Sequence, residues 1–528
     1  MNKIILFFIF ISLEIINAQM SKTTILFQDK VTKSMAEEYL GTPLFMYPTS
    51  SACCFRQKPS GGWWLIGIAA DGPCDRIIYG DYNDNWLRAF DEFGTGKGKF
   101  RTPIKLTSSP ASEVYVVDKF NGRIVKLIYD FQNKKLFYST SIGEGIFRLP
   151  EDVDLDIKGT LNDPCDDEIW VLDVYDSKIY HFNTNGELID SYGERGQGVG
   201  KFSFPIGIAK SLWGNFLYVL DQGNKRIVKI KYLGQNNYQW AKEFSLNEPC
   251  YSSIEVDYEG GVWVTNMVNC FLEKFTPDLE PLCKIGKKGV GENEFILPLE
   301  ISIPKGYGNI FIVEQWSDSS GGQHYIPGMD ILNLNTSQNE LLVKINFTIT
   351  WNGKVTIVIY NQNWSYVRTL YSNYYFPMSH HTVYWDMKDY SGNFVPSGKY
   401  FIKISAQNLW SNQYMKMDTT VIMLSHYLNR PTNLSANSSY PYNSITLTWN
   451  DNSNYESGYE IWRKGINENW HSIYIYPTQG QGTGEITWTD NYVSKFKDYF
   501  YRVRAYRDGI YSEFSNEKWA TTSPIIAS

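Results

Sequence analysis

The chain has 528 residues, 43% of them apolar and 20% charged, a balance that excludes global disorder. At about 150 residues per domain, the length asks for three or four domains rather than one core. A formal charge of −7 offers no basic field to displace phosphate counterions and so excludes a nucleic-acid partner, while 17 Trp, 38 Tyr and 29 Phe favour strands over helices.

In chain order, the first residues read as an export signal. Lys3 supplies the positive start, Ile4–Leu13 the apolar run, and Ile16-Asn17-Ala18 a small-residue cleavage site before Gln19. The run is shorter than the roughly 20 residues of a spanning helix. No cysteine follows it to carry a lipid, and no later segment is apolar enough to cross a membrane. The expectation is an exported protein, secreted or at the cell surface, with residues 1–18 removed.

A phrase then recurs. Val114–Lys126 runs Val-Tyr-Val-Val-Asp, four residues, Arg-Ile-Val-Lys; Ile169–Tyr180 and Leu217–Lys229 repeat it. Each copy is an apolar strand, an acidic turn and a basic residue opening a second strand. Weaker copies are Ile77–Asp81 with Trp86–Phe90, Val262–Asn266 with Phe271–Phe275, and Ile310–Glu314. Taking Asp81, Asp118, Asp173, Asp221, Asn266 and Glu314 as anchors gives six units. A supersecondary unit repeated at about 45 residues buries its apolar faces only against its neighbours. The pairs Asp118/Arg123, Asp173/Lys178 and Asp221/Arg226 bracket hairpin turns. The expectation is a carboxylate that caps turn N–H groups and meets the cation across the hairpin, worth about 0–1 kcal/mol where exposed.

Between several units lies a Gly-rich turn ending in Phe and Pro, as at Phe93–Pro103, Tyr192–Pro205 and Ile285–Pro298. This turn with the Asp-(x4)-Arg strands resembles the NHL repeat, a four-stranded blade of a β-propeller. The resemblance implies a six-bladed propeller over residues 19–334. Pairing of Thr24–Phe27 beside Met329–Leu334 is expected to close the ring and hide both sheet edges.

Two all-β segments follow. Residues 335–425 alternate at period two in Gly353–Tyr360 and continue through Trp385-Asp386, Asp389–Asn393 and Val395–Phe401. That string resembles the immunoglobulin-like domain named after the flagellar hook-capping protein, which also occurs as a C-terminal module of exported proteins. Residues 430–523 carry Ile445–Trp449, Asn452–Arg463, Tyr499–Tyr506 and Tyr511–Asn516, and resemble a bacterial fibronectin type III domain. The resemblance implies that Trp449 is the core tryptophan and that Tyr499 ties a loop to the backbone through its hydroxyl. The fold class is therefore all-β, a six-bladed propeller followed by two immunoglobulin-like sandwiches.

Catalytic signals are sparse. No nucleophile elbow, phosphate-binding loop or paired catalytic carboxylate motif stands out. Enzymes that resemble NHL propellers use several histidines around a metal; here only His181 and His324 fall in the propeller, and His380-His381 fall beyond it. His181 reads as a strand residue and His324 as a loop residue. Seven cysteines at 53, 54, 74, 165, 250, 270 and 283 are too scattered for a metal site, and three bridges among them allow roughly 105 arrangements, so none is assigned. Asp152, Asp154 and Asp156 share a strand face, with Asp163 and Asp166–Glu168 after them. Such a face is more often solvated than calcium-binding, because a hard-cation site needs about 6–8 oxygens. No cofactor is assigned, with calcium as the one alternative.

These features together lead to an exported, non-catalytic binding or adhesion-type protein. Its propeller presents loops, including 315–328, to a protein or glycan partner, and the sandwiches serve as spacer or attachment modules. The alternatives are a propeller lyase or hydrolase using a channel cation, and a structural component of an envelope or matrix.

Overall fold

A computed structural model describes residues 21–22, 48–57, 63–81, 86–90, 92–110, 112–158, 166–289, 293–305, 310–314, 322–326, 329–339, 342–396, 398–408, 415–424, 428–439, 443–453, 456–478, 484–507 and 509–522. The export signal, residues 24–27, Cys165 and most of the 315–328 loop lie outside them. Among the described residues, regular structure is strand apart from single-turn 3-10 helices. Among the described residues, no helix is long and apolar enough to cross a membrane.

Between residues 21 and 326 the described residues form six four-stranded antiparallel sheets. The second is typical: Pro103–Ser108, Glu113–Asp118, Arg123–Asp130 and Lys135–Ile142 pair in sequence order. The six first strands pack in a closed cycle, Pro298–Ser302 of the last sheet returning to Pro48–Gln57 of the first. Hydrogen bonds between neighbouring first strands join residues at matching or adjacent positions, so these strands run in one direction around a shared axis. This arrangement is a β-propeller.

The apolar runs follow from that geometry. A second strand such as Glu113–Asp118 lies between two neighbouring sheets, so five of its six residues are buried and strict alternation disappears. Separate cores fill the wedges between sheets, for example Val117, Ile124, Val153 and Val171 between the second and third. Each such buried aliphatic side chain contributes about 1.5–3 kcal/mol.

Two sequence expectations need correction. The ring closes through Ser21–Lys22, which pairs with Gly322–Ile326, and not through Met329–Leu334. Gly322–Ile326 already fills the third place in the last sheet, leaving the fourth to the amino-terminal strand. Ile331–Gln338 instead turns away to pair with Val343–Ile349. The anchor of the first sheet is also not Asp81, which ends the third strand, Arg76–Asp81. The second strand ends at Asp71, opposite Arg76, so the true phrase is Ile68–Asp71, four residues, Arg76–Tyr79.

Two further units follow, each of two sheets around one core. In the first, Ile331–Gln338, Val343–Ile349 and Ser379–Trp385 form one sheet. Tyr366–Phe376, Gly353–Asn361, Gly398–Asn408 and Met415–Leu424 form the other. Its opening strand thus starts ahead of the expected boundary at 335. In the second, Thr432–Ser438, Ile445–Asp451 and Gly484–Asp490 oppose a sheet built on Gly458–Gly465 and Asp498–Arg507.

Candidate functional site

Each first strand of the propeller begins with a register shift between its first and third residues, in all six sheets. This repeated bulge turns the third residue toward the axis. Ser50, Lys105, Asp152, Gly207, Ser253 and Glu300 thereby form one layer of a throat. Lys105 Nζ lies 3.0 Å from Glu300 Oε1 and donates to Ser253 Oγ at 3.1 Å. Glu300 accepts the Ser50 hydroxyl at 2.6 Å and Ser51 N–H at 2.7 Å, tying the last sheet to the first. Ser50 Oγ accepts Leu106 N–H, and Asp152 accepts Ile208 N–H, so the layer also laces neighbouring sheets together.

Deeper along the axis, Lys305 Nζ lies 2.8 Å from Asp154 Oδ2 and donates to Lys210 O at 2.9 Å. Lys210 Nζ lies 3.1 Å from Asp156 Oδ2. These groups are buried, and Glu255 faces the same cavity. Burial pushes the Asp152 carboxyl up to about 7 against the opposing pull of Lys105. Burial raises Glu300 and lifts Glu255 well above the carboxylate range. At Lys105 and Lys305 burial works against the charge, yet the adjacent carboxylates outweigh it and raise both. Asp152, Asp154, Glu255 and Glu300 outnumber the two ammonium groups beside them. Such a cluster sheds its excess charge by holding protons, at the groups pushed highest. The cavity left among these side chains is about 20 Å³, room for roughly one water.

Asp152, Asp154 and Asp156 do share a strand face, but it is a buried face turned to the throat. Backbone N–H groups and lysines engage them. Among the described residues, no group of three or more His, Cys, Asp or Glu is placed to hold a metal. His181 is buried, stacked on Trp170 with ring centres 3.7 Å apart, and its Nε2 lies 2.8 Å from Glu168 Oε2. The side chain of His324 lies outside the described residues. His380 contacts Thr348 Oγ1 and Pro281 O, while His381 contacts Pro377 O. Burial pushes the Cys54 and Cys283 thiols up to about 12, which makes both poor nucleophiles.

The repeated acid–base pairs lie on the rim. Asp118 and Arg123 meet at 2.9 Å, as do Asp221 and Arg226, and Arg76 meets Asp71 at 2.9 Å. All six side chains are buried, so the surface-pair magnitude does not apply to them. Asp173 differs: its carboxylate accepts Arg148, Leu149 and Asp176 N–H, and no ion pair joins it to Lys178. Arg123 Nη2 also donates to Gly96 O and Lys99 O, and Arg226 Nη2 to Gly198 O and Lys201 O. The arginine therefore braces the Gly-rich turn that precedes its sheet. Trp449 is wholly buried between the edges of Tyr459 and Tyr476, and the Tyr499 hydroxyl accepts Ser494 N–H at 3.0 Å.

The throat lysines and Glu300 escape sequence reading, although a signal exists. Lys105, Asp152 and Glu300 each stand two residues after the proline that opens a first strand.

No protein-family model matches the chain, and no curated protein matches it in sequence. Among solved structures, a calcium-binding protein, regucalcin, from Agrobacterium tumefaciens aligns at 11% identity and TM-score 0.36, covering 53% of this chain and 90% of that one. A protein from Lactobacillus plantarum aligns at 12% identity and TM-score 0.36, covering 65% and 90%. An Fn3-like protein from Clostridium thermocellum aligns at 24% identity and TM-score 0.15, covering 19% and 95%. At TM-scores this low, the fold stands on the sheets and their pairing.

Proposed function

We propose that the chain is an exported binding protein. Its six-bladed, NHL-like propeller presents one face of turns to a macromolecular partner. The two following units, an immunoglobulin-like sandwich of the hook-capping type and a fibronectin type III domain, act as spacer or attachment modules. The supporting observation is the throat. Lysine ammonium groups pair with Glu300 and Asp154 there, and the cavity of about 20 Å³ left among the described residues admits no substrate-sized ligand. Recognition then falls to the outer face. A photo-crosslinking residue placed at Phe120 of the full chain, and separately at Tyr390, tests this against envelope and medium fractions. Adducts from the Phe120 position support it; adducts from Tyr390 alone reassign recognition to the later units.

One observation favours a second reading, a propeller lyase or hydrolase. Asp152 is poised near neutrality beside Lys105, the environment of a general acid or base. Under that reading, turnover of a small substrate disappears in Asp152→Asn while partner capture at Phe120 persists.

A further inference from the structure

In the second to fifth sheets the turn after the second strand lies beside the residues that lead into the first. Phe120 N–H donates to Arg101 O, Val174 to Leu149 O, Gly223 to Ser203 O and Met267 to Cys250 O. Since the first strands run in one direction, these turns share one face of the ring. The second residue past the acidic position is Phe120, Tyr175 and Val268 in three sheets, 57%, 53% and 50% exposed. The turn itself does not need an apolar side chain there, because the fourth sheet closes it with Gly223. Phe204, at the start of the fourth sheet, adds a further exposed ring to the same face.

At Tyr175 this apolar position carries charge as well. Arg148 and Arg195 hold their guanidinium carbons 5.3 and 5.7 Å from the ring centre. Arg195 Nη2 donates to Tyr175 O, which fixes the group in place. Among the described residues, the only carboxylate paired with either arginine is Asp176, 3.4 Å from Arg148 and shared with the Tyr180 hydroxyl. Glu194, next to Arg195, is engaged by Lys201 at 2.7 Å. Arg148 thus leans on one shared carboxylate, whereas Arg195 makes no ion pair among the described residues and leaves an exposed guanidinium to meet an anion, on a chain of net charge −7. Tyr and Arg are the side chains that dominate protein interfaces, and the guanidinium fork matches a carboxylate.

We infer that this face binds an acidic segment of a protein partner, anchored on Tyr175 between Arg148 and Arg195. The inference rests on the binding-protein reading and adds the partner's chemistry. The test uses the full chain with three immobilised probes: poly-L-glutamate, a mixed Glu/Tyr copolymer and polygalacturonate. The copolymer is expected to bind tightest, because it offers both carboxylates and rings, and to weaken with added salt. Arg148→Glu with Arg195→Glu should cost about tenfold or more in affinity. Tyr175→Ala should weaken the copolymer more than poly-L-glutamate, and both variants should melt like the parent chain. Equal or tighter binding of polygalacturonate, or no change in the charge-reversed variant, overturns the inference. If the peptides fail while Phe120 still gives adducts, the partner's chemistry is wrong and the recognition face stands. If adducts come from Tyr390 alone, both fall.

Discussion

The ammonium of Lys274 sits 3.5 Å from the centre of the Trp351 ring, and this contact joins the propeller's fifth sheet to the unit that follows. Lys274 is wholly buried, 3.0 Å from Asp257 Oδ2, and donates to Thr350 O at 2.7 Å. Trp263 supplies a second ring at 4.9 Å, and Glu259 accepts Asn352 N–H beside it. A desolvated cation between two indoles is worth about 2 kcal/mol beyond its ion pair.

Lys274→Met keeps the volume and leaves Asp257 buried without its cation. Such a deletion costs about 3–5 kcal/mol. Chemical denaturation should show that loss, and adding Asp257→Asn should recover part of it. An unchanged midpoint in Lys274→Met would mean that packing alone holds the junction.

Arg123 is not replaceable by lysine. Its Nε meets Asp118, Nη1 meets Glu144 and Nη2 serves two carbonyls of the Gly-rich turn. One ammonium cannot reach all four, so Arg123→Lys should lose at least one charged hydrogen bond, about 1.5–3 kcal/mol. The same change at Arg226 should cost a similar amount. At Lys178, which makes no ion pair with Asp173, Lys178→Met should fall within about 0.5 kcal/mol of the parent.

Asp152 makes stability depend on pH. Unfolded, the group ionises near its ordinary value of 3.8, whereas burial holds it up to about 7 in the fold. Across that window the folded chain keeps a proton that the unfolded chain has released. Its contribution is therefore fullest below about pH 4 and falls away as pH rises toward 7. Burial lifts Glu259 and Asp167 to about 7 as well, so both act with the same sign. Glu168 is different: burial opposes its charge, but His181 and Lys158 hold it down at about 2, and it acts only in more acid solution. Melting temperature should fall between pH 5 and 7, and Asp152→Asn should shallow that slope. A parallel slope in the variant would remove Asp152 as a contributor.

The repeat was legible because inner strands buried on both sides must be apolar throughout, so Val114–Val117 and Leu217–Leu220 stand out from any surface strand. The phrase at Asp71 was hidden by its Gly72-Pro73-Cys74 turn and by the small residues Ala69 and Ala70, which drew attention to Ile77–Asp81 instead. The throat was not legible in the same way. A lysine or glutamate on a strand reads as solvent-facing, and only the bulge after each opening residue reveals that Lys105 and Glu300 point to the axis. Closure by an amino-terminal strand was expected, but its pairing strand was not legible, because Ser21–Lys22 is too short to show any periodicity.

Gly207 occupies the throat position that the other sheets fill with Ser50, Lys105, Asp152, Ser253 and Glu300. A Cβ there would lie 2.8 Å from Ile254 Cγ2 and 3.5 Å from Asp152 Oδ2. The missing side chain is what lets the fourth and fifth sheets approach while Ile208 N–H reaches Asp152 at 2.9 Å. Gly207→Ala must therefore displace Ile254, a buried member of the core between these sheets, and overpacking of that kind costs about 1–3 kcal/mol. Ile254→Leu takes away the Cγ2 methyl that the new Cβ would meet, at equal volume, and should restore part of the loss in the double variant, although alone it should destabilise by less than about 1.5 kcal/mol. Denaturant midpoints of the parent, the two single variants and the double variant measure that coupling. Strict additivity would place the strain of Gly207→Ala somewhere other than this contact.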